Sequence, residues 1–564
     1  INEQYPEHLM TACRFFSHHV PADGPRDFVR RLPTGRVVAV EAHCRSDGRM
    51  IDLRDRMDDF NLRWTAPAGE WEVILAVVRP IQHVIDALTG ARWSSNLAGY
   101  VDVMNREAMA KYIELVYESH CRVAGDHVGT TMPGFFTDEP GMFYDFDHRS
   151  GRTDLRMSNG ERLPLEATRQ LHDQPDLHGL FWSIPWTRDC LALFRERCGY
   201  DLQPHLCGLG RDTPEHRKVA YDLIHLLSDL FAEAYAEQVG GYCGTQGVAF
   251  TGHWGENIWN GDHYRQLRPM QVPGLDLMGG WVNAVRLMAL PRKVATAGHV
   301  NNRERAMVET YAGSSWRLEF SEKIATADLI TIMGANLHAS IDYAYSMRSI
   351  RKHTNNPPGF YQSPHWPYQR HMSDHIARLC QMTVVGKPAV TTALLHPTDG
   401  ALSNTLIDRN ANQEIVSHVD SAMRFLLDGQ IETDILSDTA LPDLTVSDGA
   451  LVSEHVRYES VVVPRAEFLS AATVKALGAF VASGGTLVLL HHLPSMTPHG
   501  DSLMAAWQEH FGIKDLPVVF ETQEERACGE GRLILIPDPA RRVTLSHAPK
   551  AGEAVFLFDE TDSL

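Results

Sequence analysis

Three glutamates, Glu139, Glu256 and Glu309, each come at or shortly after the end of a short apolar run. A pair of carboxyl groups facing each other across one sugar is the equipment of glycoside hydrolysis. One, kept protonated by its surroundings, gives its proton to the leaving oxygen, and the other, ionised, attacks the sugar or activates a water. Close to the three glutamates in sequence stand Asp138, His253, Trp254, Tyr311, Trp316, Asn336, His338 and Tyr343. Flat rings pack on the apolar face of a sugar, while Asn, His and Asp groups read its hydroxyls. Each of these residues also has a plainer use. Asp138 can simply orient Glu139, Glu256 can be a supporting partner or a cation ligand, and Trp254 and Trp316 can be core packing. His253 and His299 fit positioning better than catalysis, because no Ser or Cys nucleophile stands in a recognisable strand-to-helix elbow.

Metal chemistry divides by ligand type. The histidines never form HExxH or a comparable pair, so no catalytic zinc is expected. An oxygen-ligated Ca2+ among Asp138, Glu256 and Glu309 is compatible with the residue types, since hard cations take carboxylates.

The elements that must position these groups are legible in outline. Met132 to Phe136 is an apolar run broken at Asp138, Glu139 and Pro140, and reads as a buried strand of a parallel sheet with its acids at the carboxyl end. Strands Val248 to Gly252 and Ala306 to Val308 deliver His253, Trp254 and Glu256, and Glu309 and Tyr311, in the same way. A shorter unit carries Pro273 to Asp276. Lys293 to Ala297 and Leu329 to Ala335 also read as strands, the last delivering Asn336, His338 and Asp342. A helix capped by Asn105 precedes the first of these strands, and a second runs from Pro214 to Val239, with Gly240 and Gly241 ending it. Strands alternating with helices and dropping polar groups at their carboxyl ends are the pattern of a (β/α) barrel.

Residues 1–100 read instead as strands and turns, a small β subdomain, and about 146–185 as a polar insertion. After residue 385 the strands Ala389 to His396, Tyr458 to Pro464 and Gly484 to Leu490, with helices near 411–427 and 471–483, form a doubly wound α/β unit. It has no GxGxxG or P-loop and so no legible nucleotide site.

A chain of 564 residues is too long for one core. A formal charge of -19, with no basic run, argues against a nucleic-acid partner. No run is long and apolar enough for a membrane span, and no secretory leader is legible at Ile1. Nine scattered cysteines suit reduced core thiols, which leans to the cytoplasm and leaves the compartment open.

Taken in order, the segments Phe135 to Pro140, Gly252 to Glu256, Val308 to Trp316 and Gly334 to Ala339 resemble those of the large bacterial α-L-rhamnosidases, over roughly residues 100–400. The resemblance implies a (β/α)8 barrel, an inverting mechanism with two glutamates, and a Ca2+ ion near the sugar. Glu139 is then the general acid, and the base lies between Glu256 and Glu309. The unit after 385, through Val461 to Pro464 and Val481 to Val488, is similar to the flavodoxin-like domain that follows the barrel in these enzymes and in some β-galactosidases, where it is trimerisation-like. The domains expected are 1–100, the barrel start with an inserted β subdomain; 101–385, the catalytic barrel; 386–545, the flavodoxin-like domain; and 546–564, the start of a C-terminal β domain. A full barrel needs about three strands ahead of the Glu139 strand. Residues 1–130 offer mostly the β subdomain, so either the first strands lie upstream of Ile1 or the barrel is incomplete and missing its first strands. The partner is an oligosaccharide or glycoside, with a homo-oligomer compatible. Two rivals stand beside this reading: a retaining β-galactosidase-like enzyme with Glu309 as nucleophile, and a non-catalytic carbohydrate-binding protein on the same scaffold.

Overall fold

The computed structural model describes residues 4–81, 100–142, 180–254, 261–277, 286–314, 316, 318–341, 343–348, 359–513 and 519–537. Glu256, Asp342 and the expected β strand in 546–564 lie outside the described residues. The chain divides into two compact units, Ile1–Val123 with Gly141–Gln238, and Ala124–Pro140 with Val239–Leu564.

In the first unit the expected β character is present. Strands β1 (Thr11–Ala22), β2 (Arg26–Arg31), β3 (Arg36–Cys44), β4 (Met50–Asp52), β5 (Asn61–Ala66) and β6 (Gly69–Pro80) come first in the chain. Strand β7 (Gly134–Asp138) belongs to the second unit, and β8 (Leu180–Trp186) to the first. These build an antiparallel sheet in the order β4-β3-β6-β1-β8 and a separate β2-β5 pair. Alternate residues of β3 and β6, among them Val40, Val73, Leu75 and Val77, bury one face with Phe16 and Trp71. Strand β8 falls where a polar insertion was expected. Its residues Trp182 to Trp186 are all buried, a run too short to stand out beside a long polar stretch. The helix Arg106–Ile113 begins as expected, the Asn105 side chain accepting the Ala108 N–H at 3.0 Å.

In the second unit β7 and β9 (Ala249–His253) pair in parallel, and β10 (Gly274–Leu277), β11 (Met307–Thr310) and β12 (Leu337–Ser340) make a second parallel sheet in chain order. The β9 to β10 seam is held by the Val272 N–H donating to the Phe250 carbonyl at 3.2 Å. Among the described residues these five strands form an arc and do not close into a barrel. The edge position of β7 leaves Phe136 46% exposed, where full burial was expected.

Three other expectations are corrected. Lys293 to Ala297 lies inside the helix Arg286–Val300, and Leu329 to Met333 belongs to the end of the helix Phe320–Ile332 and the turn after it. Short apolar runs with β-branched residues look alike in a buried helix and a buried strand; the capping box of Glu319 and Glu322 was the missed helix signal. Gly240 and Gly241 do not end their helix, which continues as Glu237–Thr245; a side chain on Gly240 would press on the Pro269 carbonyl.

The same unit holds β13 (Thr392–His396), β14 (Thr433–Ser437), the small meander β15 (Thr445–Ser447), β16 (Ala450–Val452) and β17 (Arg457–Tyr458), then β18 (Ser460–Val463), β19 (Thr486–Leu490), β20 (Glu524–Cys528) and β21 (Gly531–Ile536). Six of these make one sheet ordered β14-β13-β18-β19-β21-β20, parallel except for the β20 edge. Leu394, Ile435, Val462 and Val488 form its core with Met423 and Leu426 of the helix Arg409–Asp428 and with Ala289. A buried Asp434 on β14 ties the six-stranded sheet to β17 and to the helix Arg286–Val300. It accepts from Tyr458 at 2.7 Å and pairs with His299 at 2.9 Å, so His299 serves the fold.

Gly252 marks the tightest approach in the arc. It has φ 119°, and a Cβ there would overlap the Thr137 backbone. Gly252→Ala is therefore expected to cost at least ~2 kcal/mol of unfolding free energy. Gly247→Ala, at φ 67° with open space around it, should cost about 1 kcal/mol. Urea titrations of both variants check this, and equal losses would refute the close-approach argument.

Candidate active site

Strand register places acids and imidazole in one row. Asp138 on β7 is opposite His253 on β9, and Asp276 on β10 is opposite Glu309 on β11, which in turn is opposite Ala339 on β12. All of them lie at or near the carboxyl ends of their strands, where loops form a cleft over a rigid floor. Glu139 follows directly, with φ 43°, and its N–H donates to the His253 carbonyl at 3.1 Å. This left-handed turn is sterically costly for a residue with a Cβ. It lets the backbone pair once more with β9 while leaving both Asp138 and Glu139 exposed.

His253 is the centre. Its Nε2 lies 2.9 Å from Glu309 Oε2 and 3.6 Å from Asp138 Oδ1, and its ring meets Phe136 edge to face at 5.5 Å. Donor atoms of Asp138, His253 and Glu309 lie within 4.8 Å of one another, as do those of Glu139, His253 and Asp276. Four carboxylates therefore share one imidazole. Burial of the ring disfavours its charged form, but the Glu309 hydrogen bond and the charges of Asp276, Glu309 and Asp138 outweigh it, so the His253 pKa is raised. The exposed acids Asp138 and Glu139 face solvent, Glu309 is nearly covered, and Asp276 is buried beneath.

Of the residues singled out in the sequence, Asp138, Glu139, His253 and Glu309 are brought together. Asp276 was missed as a site residue. Its signal was the Pro-Gly turn ahead of a four-residue strand ending in an acid, as in its neighbours. Other candidates are spent elsewhere. Asn336 sits at the opposite, amino end of the strands, accepting the Ala306 N–H at 2.9 Å and donating to the Glu304 carbonyl at 3.0 Å. His338 is opposite Val308 and so points to the other face of the sheet from Glu309. There it bonds Thr331 of the helix Phe320–Ile332 at 2.9 Å, and burial pushes its pKa down to about 4. The Tyr311 hydroxyl donates to the Lys323 carbonyl at 2.8 Å, and its ring is buried, as is Trp254 beside Phe250. Trp316 and Tyr343 are half exposed on segments that follow β11 and β12.

No protein-family model matches the chain, and no curated protein matches its sequence. Similar folds are found among solved structures. A rhamnosidase from Novosphingobium sp. PP1Y aligns with TM-score 0.54 and 17% identity over 87% of this chain, which spans 43% of that enzyme's length. A β-galactosidase from Bacillus circulans sp. alkalophilus aligns with TM-score 0.53 and 12% identity, covering 81% of this chain and 74% of that one. Gan42B, a GH42 β-galactosidase, gives TM-score 0.51 and 11% identity over 81% of this chain and 72% of its own. At these identities the likeness is one of fold, a fold that these glycosidases share.

The raised pKa has a pH signature. Below the ordinary histidine value of about 6.5 the imidazole is charged in folded and unfolded chains alike, and its pairing stabilises the fold fully. As pH rises through the higher folded-state value that contribution is lost. Glu309→Gln should lower the His253 pKa in an NMR titration and flatten the pH dependence of the unfolding midpoint above the ordinary histidine range. An unshifted titration would show that Glu309 does not hold the proton there.

Proposed function

We propose that this chain is a glycoside hydrolase acting on a terminal deoxyhexosyl group, an α-L-rhamnosyl group foremost, with Glu139 as general acid and Glu309 as base. One observation carries this reading: acids from separate strands converge on a single buried imidazole at the carboxyl ends of a parallel arc. Glu139, on the open rim, is placed to protonate the glycosidic oxygen of a sugar lying over the row. Glu309 is held 2.9 Å from His253 Nε2, which fixes its carboxylate where it can accept a proton from the attacking water. His253 orients Glu309, and the charge of Asp276 beneath helps to raise the pKa of that ring. Displacement by water gives a product of inverted anomeric configuration.

The resemblance to rhamnosidases brings a Ca2+ ion into consideration, and the donor set fits one. A hard cation takes about six to eight oxygen ligands, and the carboxylates of Asp138 and Glu309, whose oxygens lie within 4.8 Å of each other, would supply some of them. When bound, such an ion supplies positive charge to which sugar hydroxyls bind. His253 in its protonated state balances the same acids, so proton and cation compete. Added Ca2+ should lower the His253 pKa in an NMR titration and EDTA should restore it; no response at millimolar Ca2+ would remove the cation from this reading.

A retaining, β-galactosidase-like enzyme is the second reading, favoured by the larger share of the β-galactosidases that the chain spans. Glu309 is then the nucleophile. The strand order of the six-stranded sheet, with its parallel members running 2-1-3-4-5, supports a flavodoxin-type domain after the arc.

Glu139→Gln and Glu309→Gln are each expected to lower kcat by roughly a thousandfold or more, with circular dichroism unchanged. A panel of rhamnosyl, galactosyl and arabinosyl nitrophenyl glycosides identifies the sugar, and the first anomer seen by NMR separates inversion from retention. Near-normal turnover in Glu139→Gln would falsify its role as the acid.

A further inference from the structure

Beyond the end of β12 the chain carries an aromatic surface that the acid chemistry does not use. The Ile341 N–H continues the ladder by donating to the Thr310 carbonyl at 3.0 Å, so this segment leaves the arc at the end that bears Glu309. Tyr343 and Trp366 are partly exposed, Tyr361 and Tyr368 more so, and Tyr345 is 89% exposed. They are not loose. Trp366 meets Phe360 at 5.0 Å and Tyr343 at 6.5 Å, and Phe360 meets Tyr361 at 5.2 Å, all edge to face. Polar side chains pin the backbone beneath: Gln362 donates to the Ala344 carbonyl at 2.7 Å, Tyr361 to the Tyr345 carbonyl at 3.4 Å, and Gln369 to the Tyr343 hydroxyl at 3.3 Å.

A rigid set of exposed rings costs free energy in water unless something covers it. Its composition selects the occupant. Between residues 359 and 369 there is no Leu, Ile, Val, Met, Lys, Arg, Asp or Glu, only aromatic, proline, small, amide and imidazole groups. The aliphatic anchors of a protein interface and the cations that would hold a phosphate are both missing from that stretch. Flat rings edged with hydroxyl and amide groups suit the alternating apolar and hydroxylated faces of a neutral sugar.

Resting on the glycosidase reading above, we propose that this surface binds the leaving-group side of the substrate. The natural substrate is then a neutral oligosaccharide chain and not a monosaccharide on a small aglycone. The chain's terminal residue lies over the row of acids while the following sugars stack on Tyr361, Trp366 and Tyr368.

The test compares two substrates with the same terminal sugar, a nitrophenyl glycoside and a neutral tetrasaccharide. Tyr361→Ala with Tyr368→Ala should lower kcat/KM on the tetrasaccharide about tenfold relative to the nitrophenyl glycoside. Tyr361→Phe, which keeps the ring, should restore most of that ratio when combined with native Tyr368. Isothermal titration of the tetrasaccharide into Glu139→Gln protein reads the surface without turnover, so the platform can be judged even if no glycoside is cleaved. There the paired alanines should weaken binding by a similar factor. Equal effects on both substrates, or tetrasaccharide affinity indifferent to the alanines, overturns the proposal. A drop in sedimentation mass with the same variants assigns the surface to a second copy of this chain and overturns it equally.

Discussion

The hydrogen bond between His253 and Glu309 is the constraint around which the second unit is arranged. Four carboxylates gathered at one rim repel one another, and in a partly dry site that repulsion is far less screened than in water. A single buried imidazole lies among them, packed edge to face on Phe136, and their charges raise its pKa. It can lie there only if β9 lies in register between the acid-bearing strands. The electrostatics of the site and the pairing of the arc are therefore one problem.

Backbone conformations show how that register is enforced. Gly252 lets β9 approach β7 so closely that no side chain fits between, and Gly274 allows the matching approach of β10 to β9. Immediately past the strand ends Glu139 and Tyr311 take left-handed turns, at φ 43° and 75°, that residues with side chains rarely adopt. Tyr311 is fixed in its turn by the bond from its hydroxyl to the helix that follows. Glu139 is fixed by its N–H donating to the His253 carbonyl, and it stays exposed at the rim. Strain concentrated at the rim in this way is what a preorganised site requires.

The scaffold itself says little about the sugar. Rhamnosidase and β-galactosidase structures share this arrangement with the chain at 11% to 17% identity, so one arc supports different specificities according to what its loops present. The aromatic segment after β12 is built outside the strands and depends on them only for its starting point.

Much of the fold was legible because local signals agreed with tertiary demands. The Asn105 cap, the amphipathic stripe of Pro214 to Phe231, and the apolar strands ending in Asp138, His253 and Glu309 each follow from short-range patterning. Leu329 to Ala335 was misread because a helix buried on several sides has no polar face to reveal its period. Asn336 and His338 lay near acid-bearing motifs in the sequence, yet strand direction sent one to the far end of the sheet and alternation sent the other to its far face. The sequence by itself determined which residues were chemically capable and that several stood at strand ends. Only the tertiary structure decided which of them meet, and that Asp276 joins them, because proximity across parallel strands depends on register between segments separated by tens of residues or more, which no local pattern encodes.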